Sequence, residues 1–330
     1  FCVCYNSNMK FEFLFKYFPR EKFLKPPHIG ISFSDSNIKA ISFDKTLKEP
    51  SLKSIVVPIK KGAIVAGSIM DINEITKKLS LIKESLDSSF VFFTIPDELA
   101  YVFSASVLVA NGGDMTESVA FIMEENVPLS LDDIVFDFVP TGVIQADSKY
   151  NVSVVVAASP KKEMEKFIEA FYKSGFEPVG CIHESQAIAN ALVSNKTSGT
   201  LSIVHARGNR VGIYLVKNNL VHFSTLRSIL DEDYKKQFLD EYEKFLEYCS
   251  RYDTSEKQPV KSIFVCGEFE YAKKIVEAII DSTNLVHTKD VKLSNVWTNI
   301  FEIDKHLPSI PYEESLNLAG PIGATLADII

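Results

Sequence analysis

Between His28 and Asp44 the chain reads "HIGISFSDSNIKAISFD", two short apolar-alternating runs around the polar tip Ser34-Asp35-Ser36-Asn37. The pattern predicts a β-hairpin with a small-residue tip. A turn whose backbone N–H groups face inward is a cradle for phosphate. Such a cradle works with an acidic side chain that holds a metal and glycines that admit the phosphates closely. Other chemistry has little footing. There is no Gly-x-Ser-x-Gly elbow and no Walker loop. The six histidines show no metal-ligand spacing, and Cys2 and Cys4 lack a second pair, so no metal is expected. His183 beside Glu184 reads as a satisfied loop residue, and Glu184 as a carboxylate set against a helix dipole.

The elements that must position a cradle are legible in the periodicity. "HIGISFS", "IKAISFD" and "LKSIVVPI" predict three strands, followed by a helix with Ile72, Ile75, Leu79 and Ile82 on one face. "SSFVFFTIP" is a continuous apolar run of strand length, suited to burial on both faces. "ELAYVFSASVLVA" predicts a strand, "DMTESVAFIMEEN" a helix opened by Asp114 or Thr116, and "DIVFDFVPTGVI" with "YNVSVVVAAS" a strand pair. Residues 88–159 are therefore expected to form a compact α+β insert. Ser159 is expected to N-cap the next helix, with Pro160 at its first position and Gly175 at its end. The pattern then restarts: "TLSIVHARG", "NRVGIYLVKN" and "LVHFSTL" predict three more hairpin-joined strands. A long helix follows, with Tyr234, Phe238, Tyr242, Phe245 and Cys249 in one stripe. Two halves that each open this way suggest a structural duplication.

The 330 residues allow two domains or one bilobed unit. A net charge of −8 and a pI near 5.4 argue against nucleic acid as a partner. No apolar run reaches the ~18 residues of a membrane span. Five scattered cysteines fit a reducing compartment, and no secretion signal is legible, so a cytoplasmic location is expected. Met9 reads as the natural start of an N-terminal arm, residues 1–27. Its Phe11, Leu14, Phe15 and Phe18 at helical spacing among five basic residues suit either an anionic membrane surface or packing onto the main body.

Several stretches together carry a resemblance. "NVSVVVAASPKKEMEKFIEAFYKSGFEPVGCIHESQAIANALV", "MTESVAFIMEENVPLSLDDIVFDFV", "FLDEYEKFLEYCSRY" and "LAGPIGATLAD" are, in this order, similar to segments of the type IV pilus assembly protein PilM family. The resemblance covers roughly residues 28–330. It implies an α/β, actin-like (ribonuclease H-like) two-lobed fold with an inserted α+β subdomain called 1C, of the SHS2 type. Residues 28–87 and 160–198 would form subdomain 1A, 88–159 the 1C insert, and 199–229 and 259–330 subdomain 2A. Residues 230–258 would be a reduced 2B, one helix in place of the adenosine clamp. The family sits at the cytoplasmic face of the inner membrane and binds the short cytoplasmic peptide of the bitopic membrane protein PilN, with ATP between its lobes.

The resemblance also assigns a nucleotide cleft, and the residues there depart from the family pattern. Gly30-Ile31-Ser32-Phe33-Ser34 stands where the family reads Gly-Ile-Asp-Ile-Gly, so Ser32 replaces the first carboxylate and Ser34 a glycine. Val204-His205-Ala206-Arg207-Gly208 stands for Val-Asp-Ile-Gly-Ala, so His205 replaces the second carboxylate and Arg207 a glycine. Cys266-Gly267-Glu268 stands where a Gly-Gly pair is usual. The degenerate cleft is thus expected to comprise Gly30, Ser32, Ser34, Lys39, His205, Arg207, Gly208, Gly267 and Glu268. Magnesium-ATP chemistry needs carboxylates for the metal and donors around the phosphates. Without the two aspartates, no cofactor, no catalytic residue and no ATP hydrolysis are expected. Metal-free phosphate binding by Lys39, His205 and Arg207 is the alternative. The expected function is a PilM-like scaffold of a type IV pilus or type II secretion-like assembly platform. Its partner would be a PilN-type peptide, contacting the insert around Phe121, Met123, Phe136 and Phe138, with other platform or motor components as further candidates. An active actin-like ATPase and an FtsA-like cell-division protein are the rival readings.

Overall fold

The computed structural model describes residues 27–44, 51–86, 88–110, 114–146, 149–194, 197, 199–252, 260–282, 290–301 and 308–327. The Met9 start and the reading of residues 1–26 as an arm lie outside these. In chain order the elements are β1 (Ile29–Phe33), β2 (Asn37–Asp44), β3 (Ser51–Pro58), β4 (Ile64–Val65), β5 (Ser68–Ile69), α1 (Ile72–Leu86), β6 (Phe90–Ile95) and β7 (Tyr101–Ala110). Next come α2 (Met115–Asn126), β8 (Ile134–Ala146), β9 (Lys149–Pro160), α3 (Lys161–Lys173), β10 (Glu177–His183) and α4 (Glu184–Leu192). The remainder is β11 (Thr200–Arg207), β12 (Arg210–Lys217), β13 (Leu220–Ser228), α5 (Tyr234–Tyr252), β14 (Ser262–Gly267), α6 (Phe269–Asp281), β15 (Asp290–Leu293), α7 (Tyr312–Ser315) and α8 (Ala319–Thr325).

Two five-stranded sheets repeat one plan. The first runs β10-β6-β1-β2-β3 and the second β13-β12-β11-β14-β15. In each, three successive strands form an antiparallel meander, and two later strands add in parallel beside the first of them. The duplication expected from the sequence is therefore a duplication of topology. Ile29, Ile31 and Phe33 share one buried face with Ile38 and Ala40, which fixes register, because a one-residue slip would turn this set away from the core it forms with α1 and α3 and into α8. The first core stacks Phe33 and Phe93 against Phe167 and Phe171 of α3. Ile75, Leu79 and Ile82 of α1 are buried in the same cluster, as their spacing predicts. In the second lobe Tyr234, Phe238, Tyr242, Phe245 and Cys249 of α5 pack with Ala272, Ile275 and Ile279 of α6. Between β13 and β14 the described residues hold only a 3₁₀ turn at Asp231–Asp233 and α5. No helix among the described residues is long and apolar enough to cross a membrane.

The insert is a three-stranded antiparallel sheet, order β7-β9-β8, with α2 on one face, so its chain order is strand, helix, strand, strand. Asp114 caps α2, its side chain accepting from the Thr116 N–H. Three expectations need correction. The insert begins at Tyr101 and not at residue 88, because β6 pairs in parallel with β1 and β10 inside the first sheet. Ser159 is not an N-cap: β9 continues through Pro160, and the Ser159 hydroxyl lies 2.9 Å from His183 Nε2 instead. The closing helix α8 belongs with the first sheet rather than the second lobe. Its small residues let it approach so closely that a Cβ on Gly30 would stand 1.9 Å from the Pro321 carbonyl oxygen.

Candidate functional site

The two hairpin tips face one another across a cleft between the lobes. At the first tip the Ser34 hydroxyl is used by its own turn: it accepts from the Asn37 N–H at 3.1 Å and donates to the Asn37 carbonyl at 3.0 Å. Asp35 turns away from Ser32. It accepts from the N–H groups of Ala66 and Gly67 and pairs with Arg210 at 2.9 Å. At the second tip Arg207 and Arg210 stand opposite each other in register, joined by a turn in which Gly208 takes φ +57°.

Arg207 occupies the centre of the cleft. Its Nη1 donates to Glu184 at 3.0 Å and its Nη2 to Glu98 at 3.3 Å, while Arg210 Nη1 donates to the same Glu98 oxygen at 2.7 Å. The pair is largely withdrawn from solvent, with side-chain exposures of 10% for Arg207 and 4% for Glu184. Glu98 follows β6 and Glu184 opens α4, so these bridges join the second lobe to the first. Beneath them lies a buried polar chain. Asp97 accepts from the Ser185 N–H at 3.2 Å and from the Tyr214 hydroxyl, and that hydroxyl sits 3.3 Å from His205 Nδ1. Lys39, also buried, donates to the Asn317 side chain.

Burial dominates the titration of this cluster. It pushes Glu184 up to about 7 and Asp97 up to about 6, against the pull of Arg207 in both cases. Burial also lowers Lys39 to about 8, opposed by Glu184, and drives His205 well below its ordinary value, helped by Arg207 and Lys39. Arg207 is the exception. Burial works against its charge, but Glu184, Glu98 and Asp97 outweigh it and hold the guanidinium above its usual range. The site is therefore a permanent cation ringed by carboxylates, two of which titrate near neutrality.

Each residue expected in the cleft has a definite place. Ser32 is buried beneath the N-terminal turn of α8, where a Cβ on Gly320 would stand 3.4 Å from the Ser32 Cβ and 3.5 Å from Glu184 Oε1. Gly30 accommodates α8 rather than facing the cleft. Gly267 takes φ +107°, and a Cβ there would fall 2.1 Å from the Ala206 carbonyl oxygen, so strand packing alone requires glycine. Glu268 is exposed at the mouth, its N–H bonded to the Ala206 carbonyl. The remaining cavity between the tips holds about 270 Å³ and is lined by Ser34, Asn37, Lys39, Glu98, Arg207 and Arg210 among others. One donor atom each from Asp97, Glu184 and His205 come within 4.8 Å of one another, a cluster the sequence reading did not assemble. The positive charge beside this cluster is the guanidinium of Arg207, with the buried Lys39 ammonium as a second, weaker source.

Asp97 and Glu98 were not singled out from the sequence. The available signal was position: an acidic pair one proline beyond the buried strand "FVFFTI" sits at the carboxyl end of a central parallel strand, where α/β sheets place their sites. Of the insert residues expected to meet a partner, Phe121 is 67% exposed on α2, and Phe136 and Phe138 are half-buried against the insert core. Met123 requires correction. It is 0% exposed, because the one-sided burial of α2 turns it with Val119 onto the sheet.

The family model described as "Type IV pilus assembly protein PilM" matches residues 30–283. A solved "PilM-PilN type IV pilus biogenesis complex" superposes with a TM-score of 0.71 at 15% identity, covering 91% of this chain and 98% of the matched one. The cytoplasmic domain of EpsL, an inner membrane component of the type II secretion system of Vibrio cholerae, matches at TM-score 0.49 and 8% identity, with 72% of this chain and 81% of that one covered. The ethanolamine utilization protein EutJ from Carboxydothermus hydrogenoformans matches at 0.48 and 14% identity, over 92% and 91%. The sequence matches no curated protein.

Proposed function

The chain belongs to the type IV pilus assembly protein PilM family and has its actin-like α/β fold, and from that premise we propose that it works in pilus assembly as a docking scaffold whose cleft is closed by its own arginine. The observation that carries this reading is Arg207, held at 3.0 Å by Glu184 and 3.3 Å by Glu98 between the two hairpins. A magnesium-bound triphosphate needs acidic side chains for the cation and uncommitted donors for the phosphates. Here the family's carboxylate positions hold Ser32 and His205, and both Nη atoms of Arg207 are engaged by carboxylates. Anionic phosphates would have to displace Glu98 and Glu184 from the guanidinium. The ion pairs hold the lobes together without a nucleotide, so the shape offered to a partner does not depend on ATP.

The partner is a PilN-type membrane protein, which would bring the scaffold to the cytoplasmic face of the inner membrane. Support comes from family membership and from the likeness to a chain solved within a PilM-PilN complex. Two measurements test the proposal. Titration calorimetry against the cytoplasmic N-terminal peptide of a PilN-type protein should register binding with and without Mg-ATP. A thermal-shift series with Mg-ATP at millimolar concentration should move the melting temperature by less than 1 °C. A saturable nucleotide-dependent shift of several degrees would replace the scaffold reading with a nucleotide-binding one.

A further inference from the structure

A second cavity, of about 460 Å³, opens between the lobes beside β3. The strand register places its first wall. Val56 pairs with Lys39 and Ser54 with Ile41, and these pair in turn with Ser32 and Gly30. Ser54 and Val56 therefore lie on the sheet face that α8 covers at Gly30. At β3 that face is open, and Val56 is 52% exposed. The opposite wall joins Phe269, at the start of α6, to Ile310, with Glu268, Glu313 and Glu314 around them. All three glutamates are exposed, and no Lys or Arg lines the cavity. Its walls thus present an apolar surface and three carboxylates without a counter-charge among the lining residues.

We infer that this cavity is the seat of the chain's own basic, aromatic stretch "MKFEFLFKYFPREKFLK", residues 9–25, which lies outside the described residues. Three arguments select this occupant. The first is charge: the stretch holds five Lys or Arg against two Glu, the complement of the glutamate wall. Its six aromatic rings also need an apolar surface, which Val56, Phe269 and Ile310 supply. The second is reach. At strand spacing and rise, Val56 lies about 10 Å across the sheet and about 13 Å along it from His28. Residues 19–27 extend to about 30 Å, long enough to pass α8. The third is the tether itself, which holds the stretch at an effective concentration near millimolar, so contact of modest strength suffices. An anionic membrane is the other surface such a stretch suits. The net charge of −8 on the whole chain works against that approach and towards the glutamates. Seated here, the stretch straps β3 of the first lobe to α6 of the second. The seat and the scaffold reading are independent, since either can hold without the other.

The test is photocrosslinking in the intact chain with p-benzoylphenylalanine in place of Phe15, the adducts being located by mass spectrometry. Three forms are compared: the otherwise native chain, the triple variant Glu268→Lys, Glu313→Lys and Glu314→Lys, and that triple variant combined with Lys10→Glu, Lys16→Glu and Arg20→Glu. The three glutamates are exposed, so unchanged circular dichroism and melting confirm that each form folds. The native chain is expected to crosslink within residues 51–59, 268–272 or 309–318, with a yield independent of protein concentration. The triple variant should lose at least fivefold of that yield, and the combined reversal should restore it to within twofold. Adducts elsewhere on the chain, no adducts, or a triple variant that crosslinks as well as the native chain would each overturn the inference. Vesicles of phosphatidylcholine with about 30% phosphatidylserine separate the remaining case. If they sediment the native chain and abolish the cavity adducts, the stretch is a membrane anchor and the inference falls; if the adducts persist, it stands. Failure of the chain to bind a PilN-type peptide would leave these adducts in place, so the two readings fail separately.

Discussion

Replacing Arg207 by Met removes the charge that balances the cleft while keeping much of the side chain's volume. Glu184 is then left buried without its bonded cation, and Glu98 retains only Arg210. Removing one partner of a buried ion pair costs about 3–5 kcal/mol, because the remaining charge is desolvated and unpaired. The two contacts to Arg207 and its near-complete burial place this substitution within that range. At about 2–3 °C per kcal/mol for a chain of this size, the melting temperature should fall by about 10 °C at pH 8. The pH dependence adds a signature. Glu184 at about 7 and Asp97 at about 6 lie above the ordinary carboxylate values, so each holds its proton more tightly in the folded than in the unfolded chain. The stability linked to those protons is complete below the unfolded values and is lost as pH rises through the folded ones. Without Arg207 both values move further up, so the gap to the native protein should be wide at pH 8 and narrow towards pH 5. Differential scanning calorimetry from pH 5 to 8 reads this directly. A second variant, Arg207→Met with Glu184→Gln, should regain about half of the loss at pH 8. Melting within 2 °C of the native protein at every pH would show that the arginine holds nothing together.

Three further outcomes follow from the same geometry. Gly267→Ala must place a Cβ 2.1 Å from the Ala206 carbonyl oxygen, at a φ that L residues rarely take; it should cost at least about 2 kcal/mol in urea unfolding or yield insoluble protein. Tyr242→Phe removes the 2.6 Å hydrogen bond between Ser202 and Tyr242 inside the second lobe and leaves the serine hydroxyl buried, so denaturant unfolding should show a loss of about 1–3 kcal/mol. Met123→Ala should cost about 2–5 kcal/mol by opening a cavity between α2 and its sheet, while Phe121→Ser two residues earlier should stay within about 0.5 kcal/mol; equal effects would mean that α2 presents a different face.

Much of the fold was decided within single segments. The spacing of Ile75, Leu79 and Ile82 specifies which side of α1 is buried, because a helix repeats every 3.6 residues whatever it packs against. The same holds for the aromatic stripe of α5 and for the stop at Gly175, where φ is +80°. That positions 32 and 205 carry a serine and a histidine and no carboxylate was equally visible in the residues themselves. Tertiary packing decided the rest. That β6 sits inside the first sheet, and that α8 crosses to it, depends on which exposed edges and small-residue faces meet, and local periodicity carries no record of either. The cleft is the clearest case. Arg207 reaches Glu98 across 109 positions of sequence and Glu184 across 23, and neither contact has a signature shorter than the fold that assembles it. Residue identity determined which charges the chain carries. Only the packing of two sheets against one another, in a medium too poor in water to solvate an isolated ion, determined which of those charges must be partners.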